Sequence, residues 1–405
     1  MRRQLEGSAA VAEAVARCRP EVVCAYPISP QTHIIERIGR MVRQGELAPC
    51  AFVNVESELS AMSVCIGASA TGARAYTATA SQGLLLMTEA VYNAAGLGLP
   101  IVMTLANRAV GAPINIWNDH SDAMAVRDAG STQLFAETNQ EAADLHVQAF
   151  RLAEQLSVPV MVNMDGFVLT HAVEEVDLPD PGVVDAFLPP YVPRQLLDPD
   201  DPMSIGAMVG PEAFTEVRYL ARARQAEALE VIPRLSAEYE AMVGRSAGGL
   251  VRPYRCEDAE VVVVVLGSMM GTLEVAVDAV REAGRRVGAL SVRTFRPFPT
   301  AAVKAAVAAA SRVVVLERAL SVGSPFVGPL SADVAAALAP GVALTSVVAG
   351  LGGRPVGEEA LSSLLADAVS GALAPVRFLE LDEGLLASAA TWTGSTEPSA
   401  APIQD

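Results

Sequence analysis

The amino-acid sequence predicts an α/β protein built on two doubly wound, largely parallel sheets. Short β-branched runs alternate with helix-period segments from residue 8 to about residue 165, and the alternation resumes after residue 250. Some runs, such as residues 261–266, are almost continuous valine and leucine, as strands covered on both faces require. At 405 residues the chain is long enough for two such units.

The first unit, residues 1–175, is predicted from five strand-like runs and the helices between them. Thr138 is placed to cap a helix over 140–156, and Ser57 is placed to cap a helix that begins at Glu58. The predicted strands are 21–25, 51–55, 73–79, 100–105 and 158–164.

Residues 176–250 are predicted to be an excursion followed by a linker. Residues 178–202 are rich in proline and aspartate, which favour neither a β-ladder nor a long helix. A polar helical stretch over 211–243 then ends in glycines, as a linker to a second unit would.

The second unit, residues 251–375, repeats the α/β pattern. Residues 376–405 lose this periodicity and are predicted to be a carboxyl-terminal tail. The predicted strands of the second unit are 261–266, 287–292 and 312–317, and its predicted helices are 272–283 and 300–310.

Composition and charge exclude several classes of protein. The sequence has 29 basic and 46 acidic residues, and the net charge of -17 repels nucleic acid. Its apolar runs have strand length, so we expect no membrane span. The first residues lack the apolar core of a signal peptide, and the expected compartment is the cytoplasm.

The five cysteines show no C-x-x-C spacing and are predicted to be small buried apolar residues. We therefore expect neither an iron–sulfur cluster nor another metal site in this chain. The only lysine, Lys304, lies in an alanine-rich helical stretch, which argues against Schiff-base chemistry.

Three loops that follow predicted strands carry candidate site residues, because ligands of open parallel sheets bind outside the carboxyl ends of the strands. These loops hold the hydroxyl of Ser29, the carboxylates of Glu56 and Glu58, and the guanidinium of Arg108. Taken one at a time, each has a simpler interpretation as a helix cap, a first-turn acid or a surface cation. Their recurrence at one sheet edge favours a common site.

Longer segments around these loops carry a family resemblance. Residues 26–32 (YPISPQT) resemble the YPITPQT signature of 2-oxoacid:ferredoxin oxidoreductase α chains, and residues 55–60 (VESELS) resemble their VESEHS. The similarity extends over nearly residues 6–370 and is closest to pyruvate:ferredoxin oxidoreductases. Further similar segments are 80–87, 106–122, 293–299 and 350–354.

The resemblance implies a fold, a reaction and partners. It implies a pyrimidine-binding thiamine diphosphate domain followed by a domain like the transketolase carboxyl-terminal domain. The implied reaction is coenzyme-A-dependent oxidative decarboxylation of pyruvate to acetyl-CoA and CO₂, or its reverse, with ferredoxin as electron carrier. Thiamine diphosphate would be shared with a β subunit that holds the diphosphate and Mg²⁺, and γ- and δ-type or fused subunits would carry the 4Fe–4S clusters.

The resemblance also assigns roles residue by residue. Glu58 matches the glutamate that hydrogen-bonds N1′ of the aminopyrimidine, with Glu56 as its rival. Arg108 matches the arginine that binds the substrate carboxylate, a role suited to a planar two-pronged donor. Ser29 stands where the family usually has a substrate-contacting threonine, so the hydroxyl is kept and a methyl group is lost.

Other motifs are assigned supporting roles or none. Ser81, Gln82 and Gly83 open a helix after a strand, and the resemblance places them beside the cofactor ring. Residues 118–122, which include Asp119, His120 and Asp122, suit either a structural and gating role or direct catalysis. Residues 350–354 are predicted to form a turn. His33, His146 and His171 have no partner visible in the sequence.

Alternatives to the pyruvate enzyme remain open at this stage. Related α chains for branched-chain or aryl 2-oxoacids share the same motifs. A 2-oxoglutarate enzyme is less favoured, because many of its α chains carry an additional amino-terminal domain. A non-catalytic scaffold subunit is the alternative from another class, and retention of Glu58, Arg108 and the Ser29 hydroxyl argues against it.

Overall fold

The computed structural model describes residues 2–392 and confirms the predicted α/β class. The strands are β1 (Arg2–Glu6), β2 (Val22–Ala25), β3 (Ala51–Asn54), β4 (Ala75–Thr79), β5 (Ile101–Asn107), β6 (Thr132–Phe135), β7 (Val160–Asp165), β8 (Val173–Asp177), β9 (Val251–Tyr254), β10 (Val261–Val265), β11 (Val287–Val292), β12 (Thr294–Arg296), β13 (Arg312–Glu317), β14 (Ala343–Val348) and β15 (Val376–Phe378). The helices are α1 (Gly7–Arg17), α2 (Thr32–Arg43), α3 (Glu58–Ala70), α4 (Ser81–Leu86), α5 (Thr88–Leu97), α6 (Ser121–Ala125), α7 (Asn139–Leu156), α8 (Pro181–Phe187), α9 (Phe214–Val243), α10 (Met269–Glu282), α11 (Thr300–Ala306), α12 (Pro329–Ala337), α13 (Glu358–Ser370) and α14 (Glu383–Trp392).

The first sheet has seven strands in the order β12-β6-β7-β5-β4-β2-β3. All neighbouring pairs are parallel except β12 with β6. Helices α3, α5 and α6 contribute to the core on one face, and α1, α2 and α7 contribute to the core on the other. Because β3 and β4 lie on opposite sides of β2, the winding reverses at β2 and opens a crevice between β2 and β4.

The two predicted helix caps are present in the structure. The hydroxyl of Thr138 accepts a hydrogen bond from the backbone N–H of Glu141 at 3.1 Å. The hydroxyl of Ser57 accepts one from the backbone N–H of Ser60 at 3.2 Å. These caps satisfy N–H groups that the first helical turn leaves unpaired, and the Ser57 cap fixes where α3 starts.

The second sheet has the order β15-β14-β13-β10-β11-β9, in which only β9 runs antiparallel to its neighbour. Helices α10 and α13 cover one face. The other face, with α11 and α12, belongs to a hydrophobic cluster that also includes residues of α3, α5 and β5 from the first unit. The apolar core therefore continues from one unit into the other.

Several segments differ from the sequence expectation. The second half of α9 is packed into the core of the first unit instead of forming a free linker, and Tyr239 donates a hydrogen bond to buried Asp144 at 2.7 Å. Strand β12 lies within residues 251–375 but pairs with β6 of the first sheet. The expected tail contains β15 and α14, while residues 393–405 lie outside the described part of the chain. No helix within residues 2–392 has both the length and the apolar character to cross a membrane.

A buried carboxylate at the end of β7 joins the two units. Asp165 is 1% exposed and receives hydrogen bonds from the backbone N–H and hydroxyl of Ser268 in the second unit. Arg318, also in the second unit, forms an ion pair with it at 2.7 Å, and His120 contacts it at 2.7 Å. Burial raises the pKa of Asp165, but the charge of Arg318 and the contacts from His120 and Ser268 outweigh it and hold the pKa well below its usual range.

We expect Asp165→Asn to lower the free energy of unfolding by about 3 kcal/mol, because it leaves Arg318, whose side chain is 11% exposed, without its counter-charge. Urea unfolding of the purified chain measures this loss. Glu175→Gln is the matched control, since it removes one charge from the exposed pair between Arg2 and Glu175 and should change stability by less than about 1 kcal/mol. Equal effects of the two substitutions would contradict the proposed importance of the buried joint.

Candidate functional site

The predicted site residues lie around the carboxyl ends of β2 to β5, on both sides of the crevice where the winding reverses. Ser29 follows β2, Glu58 follows β3, Ser81 follows β4 and Arg108 follows β5. Each side chain is held by a turn or a helix start immediately after its strand. The shared edge therefore brings together residues that are far apart in the sequence.

Glu58 is the first residue of α3 and is only 6% exposed. Within the described residues, its carboxylate forms no hydrogen bond and no ion pair. Gly83 lies against it so closely that a Cβ atom at that position would be 2.6 Å from Oε1 of Glu58. A buried carboxylate without an internal partner is costly, so this arrangement favours an external hydrogen-bond donor.

Glu56, the rival carboxylate, has a different environment. It is exposed, and its carboxylate accepts a hydrogen bond from the hydroxyl of Ser60. That hydrogen bond lowers the pKa of Glu56. An exposed carboxylate whose charged form is already stabilised by the Ser60 hydroxyl is less suited than Glu58 to exchanging a proton with a buried heterocycle.

Asp122 ties the Ser81 turn to the Arg108 turn. It is fully buried, and its Oδ2 accepts hydrogen bonds from the backbone N–H groups of Ser81 and Arg108, both at 2.9 Å. Its Oδ1 accepts from the side chain of Asn107 at 3.0 Å and from the backbone N–H of Ala123 at 2.8 Å. Burial raises the pKa of Asp122 to about 6, and the hydrogen bonds from Asn107, Ser81 and Arg108 oppose that rise.

Arg108 is 6% exposed and is held by backbone carbonyl groups. Its Nη1 donates to the carbonyl oxygen of Ser29 at 2.9 Å, and its Nε lies 3.4 Å from the carbonyl oxygen of Asn115. Burial lowers the pKa of Arg108, but the guanidinium stays charged at neutral pH. The arrangement fixes the guanidinium beside the loop that carries Ser29 without neutralising it, so it can still bind an anion.

The structure thus brings all of the predicted site residues together. Gln82 belongs to the same turn, because it accepts a hydrogen bond from the hydroxyl of Ser81. The same hydroxyl oxygen lies 2.5 Å from the carbonyl oxygen of Ala109, so its single proton is shared between the two acceptors. The carbonyl oxygen of Ser29 contacts Arg108, and Asp122 connects the backbone of Arg108 to that of Ser81. Ser81 begins α4, and Gly83 of the same helix lies against Glu58.

Sequence reasoning missed two residues that hold this edge together. Gln31 is fully buried and donates to the carbonyl oxygens of Tyr26 and Ala78 at 2.8 and 3.1 Å, which joins the loop after β2 to β4. Its Oε1 has no partner among the described residues. Asp165 was the other omission, although it follows the predicted strand 158–164 directly. The rule that selected Arg108 would also have selected it.

Hydrogen bonds of its own buried polar side chains hold the 118–122 loop in place. His120 is 2% exposed and contacts Asp165, while Asp122 holds the two turns described above. Asp119 accepts from the backbone N–H of Ser121 at 2.9 Å. These contacts suit a structural role. The predicted turn at 350–354 is confirmed as a short 3₁₀ turn, Leu351–Gly353, with its neighbour Gly350 at a φ of 74°.

The site suits the pyrimidine end of a thiamine cofactor. Glu58 offers a buried acceptor without an internal partner, and the bare backbone of Gly83 leaves room for it beside α4. Gln31 offers a further buried acceptor oxygen with no partner among residues 2–392. Such groups fit a planar heterocycle that donates hydrogen bonds.

The family of the chain is shown by comparison with known proteins. Residues 13–237 match the model of the pyruvate flavodoxin/ferredoxin oxidoreductase thiamine-diphosphate-binding domain. Residues 259–361 match core domain II of pyruvate:ferredoxin oxidoreductase. The chain belongs to the pyruvate flavodoxin/ferredoxin oxidoreductase family, and the resemblance read from its motifs is confirmed.

Individual relatives are similar over most of their length. Pyruvate synthase subunit PorA of Methanosarcina barkeri is 46% identical over 391 residues, 94% of this chain and 97% of the relative. Ketoisovalerate oxidoreductase subunit VorA of Pyrococcus abyssi is 42% identical, over 87% of this chain and 90% of the relative. A solved 2-oxoglutarate:ferredoxin oxidoreductase from Magnetococcus marinus has the same fold, with a TM-score of 0.69 and 19% identity. The match covers 91% of this chain and 65% of that one.

Gly83→Ala should destabilise the chain by about 1 to 3 kcal/mol, because the added methyl group would lie 2.5 Å from Oγ1 of Thr79 and 2.6 Å from Oε1 of Glu58. Gly96→Ala is the matched control within a helix, since nothing lies within 4 Å of its added Cβ. The control should be neutral or stabilising by up to about 1 kcal/mol. Denaturant unfolding of both variants provides the comparison, and a Gly83→Ala variant as stable as the control would show that the close approach is absent.

Proposed function

We propose that this chain is the α subunit of a pyruvate:ferredoxin oxidoreductase, active only in a heteromeric complex. The complex carries out coenzyme-A-dependent oxidative decarboxylation of pyruvate to acetyl-CoA and CO₂, or the reverse, with ferredoxin as electron carrier. The observation that carries the proposal is the crevice itself. A buried carboxylate without an internal partner, Glu58, and a buried guanidinium, Arg108, occupy the same sheet edge in a member of this family.

Glu58 is proposed to hold the N1′ position of the cofactor's aminopyrimidine. When bound, thiamine diphosphate supplies an acidic ring carbon that serves as the nucleophile toward the carbonyl group of a 2-oxoacid. The carboxylate of Glu58 gives and takes the proton at N1′, and the residue itself is only slightly exposed. Ser81, Gln82 and Gly83 support it by fixing the start of α4 beside the ring.

Arg108 is proposed to bind the carboxylate of the 2-oxoacid, and Ser29 is proposed to contact the same substrate. The Arg108 guanidinium is already positioned by the carbonyl oxygens of Ser29 and Asn115. Because those partners are uncharged, the positive charge stays available to an incoming carboxylate, for which the flat guanidinium provides two parallel donors. Ser29 is exposed and its carbonyl oxygen contacts that guanidinium, so its hydroxyl is proposed to donate to the same substrate.

The remaining parts of the reaction are proposed to lie on partner subunits. A β subunit would hold the diphosphate and Mg²⁺, and γ- and δ-type or fused subunits would carry the 4Fe–4S clusters. Exposed apolar residues surround the crevice, as an interface with another chain would require. They include Leu59, Leu85, Leu86, Ile114, Ile116 and Trp117. We propose the cytoplasm as the compartment.

The five cysteines are free thiols, and four of them are buried. Burial raises the pKa of the thiols of Cys24 and Cys256 to about 11 and that of Cys18 to about 12. Under the proposed function, none of them has a role in the reaction.

A branched-chain 2-oxoacid is the second candidate substrate, because a ketoisovalerate oxidoreductase subunit is 42% identical to this chain. Ser29 bears on this choice, since loss of the usual threonine methyl group enlarges the substrate pocket slightly. The test is to purify the native complex and compare kcat/KM for pyruvate and 2-oxoisovalerate in coenzyme-A-dependent ferredoxin reduction. Higher kcat/KM for the branched-chain acid would overturn the pyruvate assignment, and no turnover with any 2-oxoacid would favour the scaffold alternative.

Glu58→Gln in the assembled complex should lower turnover by more than about tenfold, a barrier increase above about 1.4 kcal/mol, because an amide cannot exchange the N1′ proton. Glu56→Gln is the matched control, two residues away and exposed, and should retain most activity. Oxoacid-dependent ferredoxin reduction measures both variants. Loss of activity in the Glu56 variant alone would transfer the role to that residue.

Arg108→Lys should raise KM for the oxoacid while leaving the affinity for coenzyme A unchanged. One ammonium group cannot form the two parallel bonds of a guanidinium, and the loss is about 1.5 to 3 kcal/mol. Steady-state kinetics with each substrate varied in turn measures the two effects separately. An unchanged KM for the oxoacid would remove Arg108 from substrate binding.

A further inference from the structure

Two histidines without a visible partner in the sequence meet on the surface of the fold. His33 is the second residue of α2, and His171 lies in the turn between β7 and β8. Glu6, the last residue of β1, lies beside them. One ligand atom from each of the three residues lies within 4.8 Å of the others. No local motif connects them, because they come from three separate segments of the chain.

The cluster is open to solvent at His33 and Glu6, and Thr170 supports the ring of His171. Nδ1 of His33 is 2.7 Å from Oε1 of Glu6, and the side chains of these residues are 51% and 31% exposed. The hydroxyl of Thr170 lies 2.7 Å from Nδ1 of His171, which orients that ring and leaves its Nε2 as the available nitrogen. Water therefore has access to the cluster. Nδ1 of His171 is already hydrogen-bonded to Thr170, and a metal-binding imidazole usually has such a partner on its other nitrogen.

The two imidazole rings also contact each other and neighbouring aromatic rings in tilted arrangements. The ring of His171 lies between those of His33 and Phe167, with centroid distances of 4.8 and 4.7 Å. Phe167 in turn contacts Trp117 at 4.6 Å. This row of four rings limits rotation of the imidazoles, which lowers the entropic cost of bringing their nitrogens to a common ligand.

Two imidazoles and a carboxylate suit a divalent transition metal ion such as Zn²⁺, Co²⁺ or Ni²⁺, and not Mg²⁺, which prefers oxygen ligands only. An ordinary ion pair would need only His33 and Glu6. The positioned nitrogen of His171 next to that pair is what points to a shared ligand.

We infer that Glu6, His33 and His171 form a binding site for a divalent transition metal ion, with water completing its coordination. The sequence predicts no metal ligand in this chain, because only the fold brings these residues together. A bound ion would link the end of β1, the start of α2 and the turn after β7. That turn contacts the site edge through Gly166, where an added Cβ would lie 2.7 Å from Pro30 and 2.4 Å from the carbonyl oxygen of Asn107. The inference does not depend on the proposed function.

The test is a titration of the full chain with Co²⁺, followed by its visible absorption and by calorimetry, with Mg²⁺ as the comparison ion. We expect about one Co²⁺ per chain with a micromolar Kd, competition by Zn²⁺, and no competition by Mg²⁺. Binding should weaken when the pH falls from about 7.5 to about 5.5, because protons compete for the imidazoles. The apparent melting temperature should rise in excess Zn²⁺.

Substitutions at the cluster decide whether the ion binds there. His33→Gln and His171→Ala should each weaken Co²⁺ binding by more than about tenfold. Glu36→Gln, which removes an exposed charge from the same helix, should leave binding unchanged. Circular dichroism confirms that each variant is folded, and if His171→Ala is not, the exposed His33→Gln decides the test. Absence of micromolar binding, binding that survives both histidine substitutions, or equal binding of Mg²⁺ would overturn the inference.

Discussion

The arrangement of the proposed site at the carboxyl ends of β2 to β5 depends on the buried contacts of the Asp165 carboxylate. Removing a charge from water is costly, and here Arg318, Ser268 and His120 together offset that cost. Two of these partners lie in the second unit, so the contact fixes one unit against the other. His120 starts the short segment that leads to Asp122, and the buried Asp122 carboxylate fixes the backbone at Ser81 and Arg108. The joint between the units therefore also positions the edge of the proposed site.

Some polar side chains at this edge of the sheet have hydrogen-bond partners within the chain, and others do not. Asp122 and Asp165 accept several hydrogen bonds each and serve the architecture. Glu58 is buried but has no partner among the described residues, and the guanidinium of Arg108 donates to the neutral carbonyl groups of Ser29 and Asn115. Polar groups that a fold buries without matching partners are the ones that a ligand can bind most favourably. This contrast separates the proposed ligand-binding residues from the residues that support them.

The sequence predicted eight of the strands that pair in parallel and the caps of α3 and α7 because local signals specify them, but it did not predict β6, β14 or β15. The strand-end rule located Glu58 and Arg108. The sequence also did not predict β12, which is short and pairs across the two units, nor the packing of α9 against α7. Those features depend on contacts between residues distant in the chain. For the same reason, the sequence did not predict that Asp122 connects the backbone at Ser81 to that at Arg108. It also did not predict that His33 and His171 lie side by side. Residue type and spacing do not reveal which distant side chains become neighbours.

The central claim is that this chain contributes only the pyrimidine side of a thiamine diphosphate site that a partner subunit completes. Calorimetric titration with thiamine diphosphate and Mg²⁺ tests it, first on the chain alone and then on the chain assembled with its partner subunits. The diphosphate end of the cofactor carries most of the charge-assisted contacts, so the chain alone should show no micromolar binding, and assembly should restore binding and oxoacid-dependent ferredoxin reduction together. A micromolar Kd for the chain alone, equivalent to about -8 kcal/mol, would contradict this division of the site between subunits.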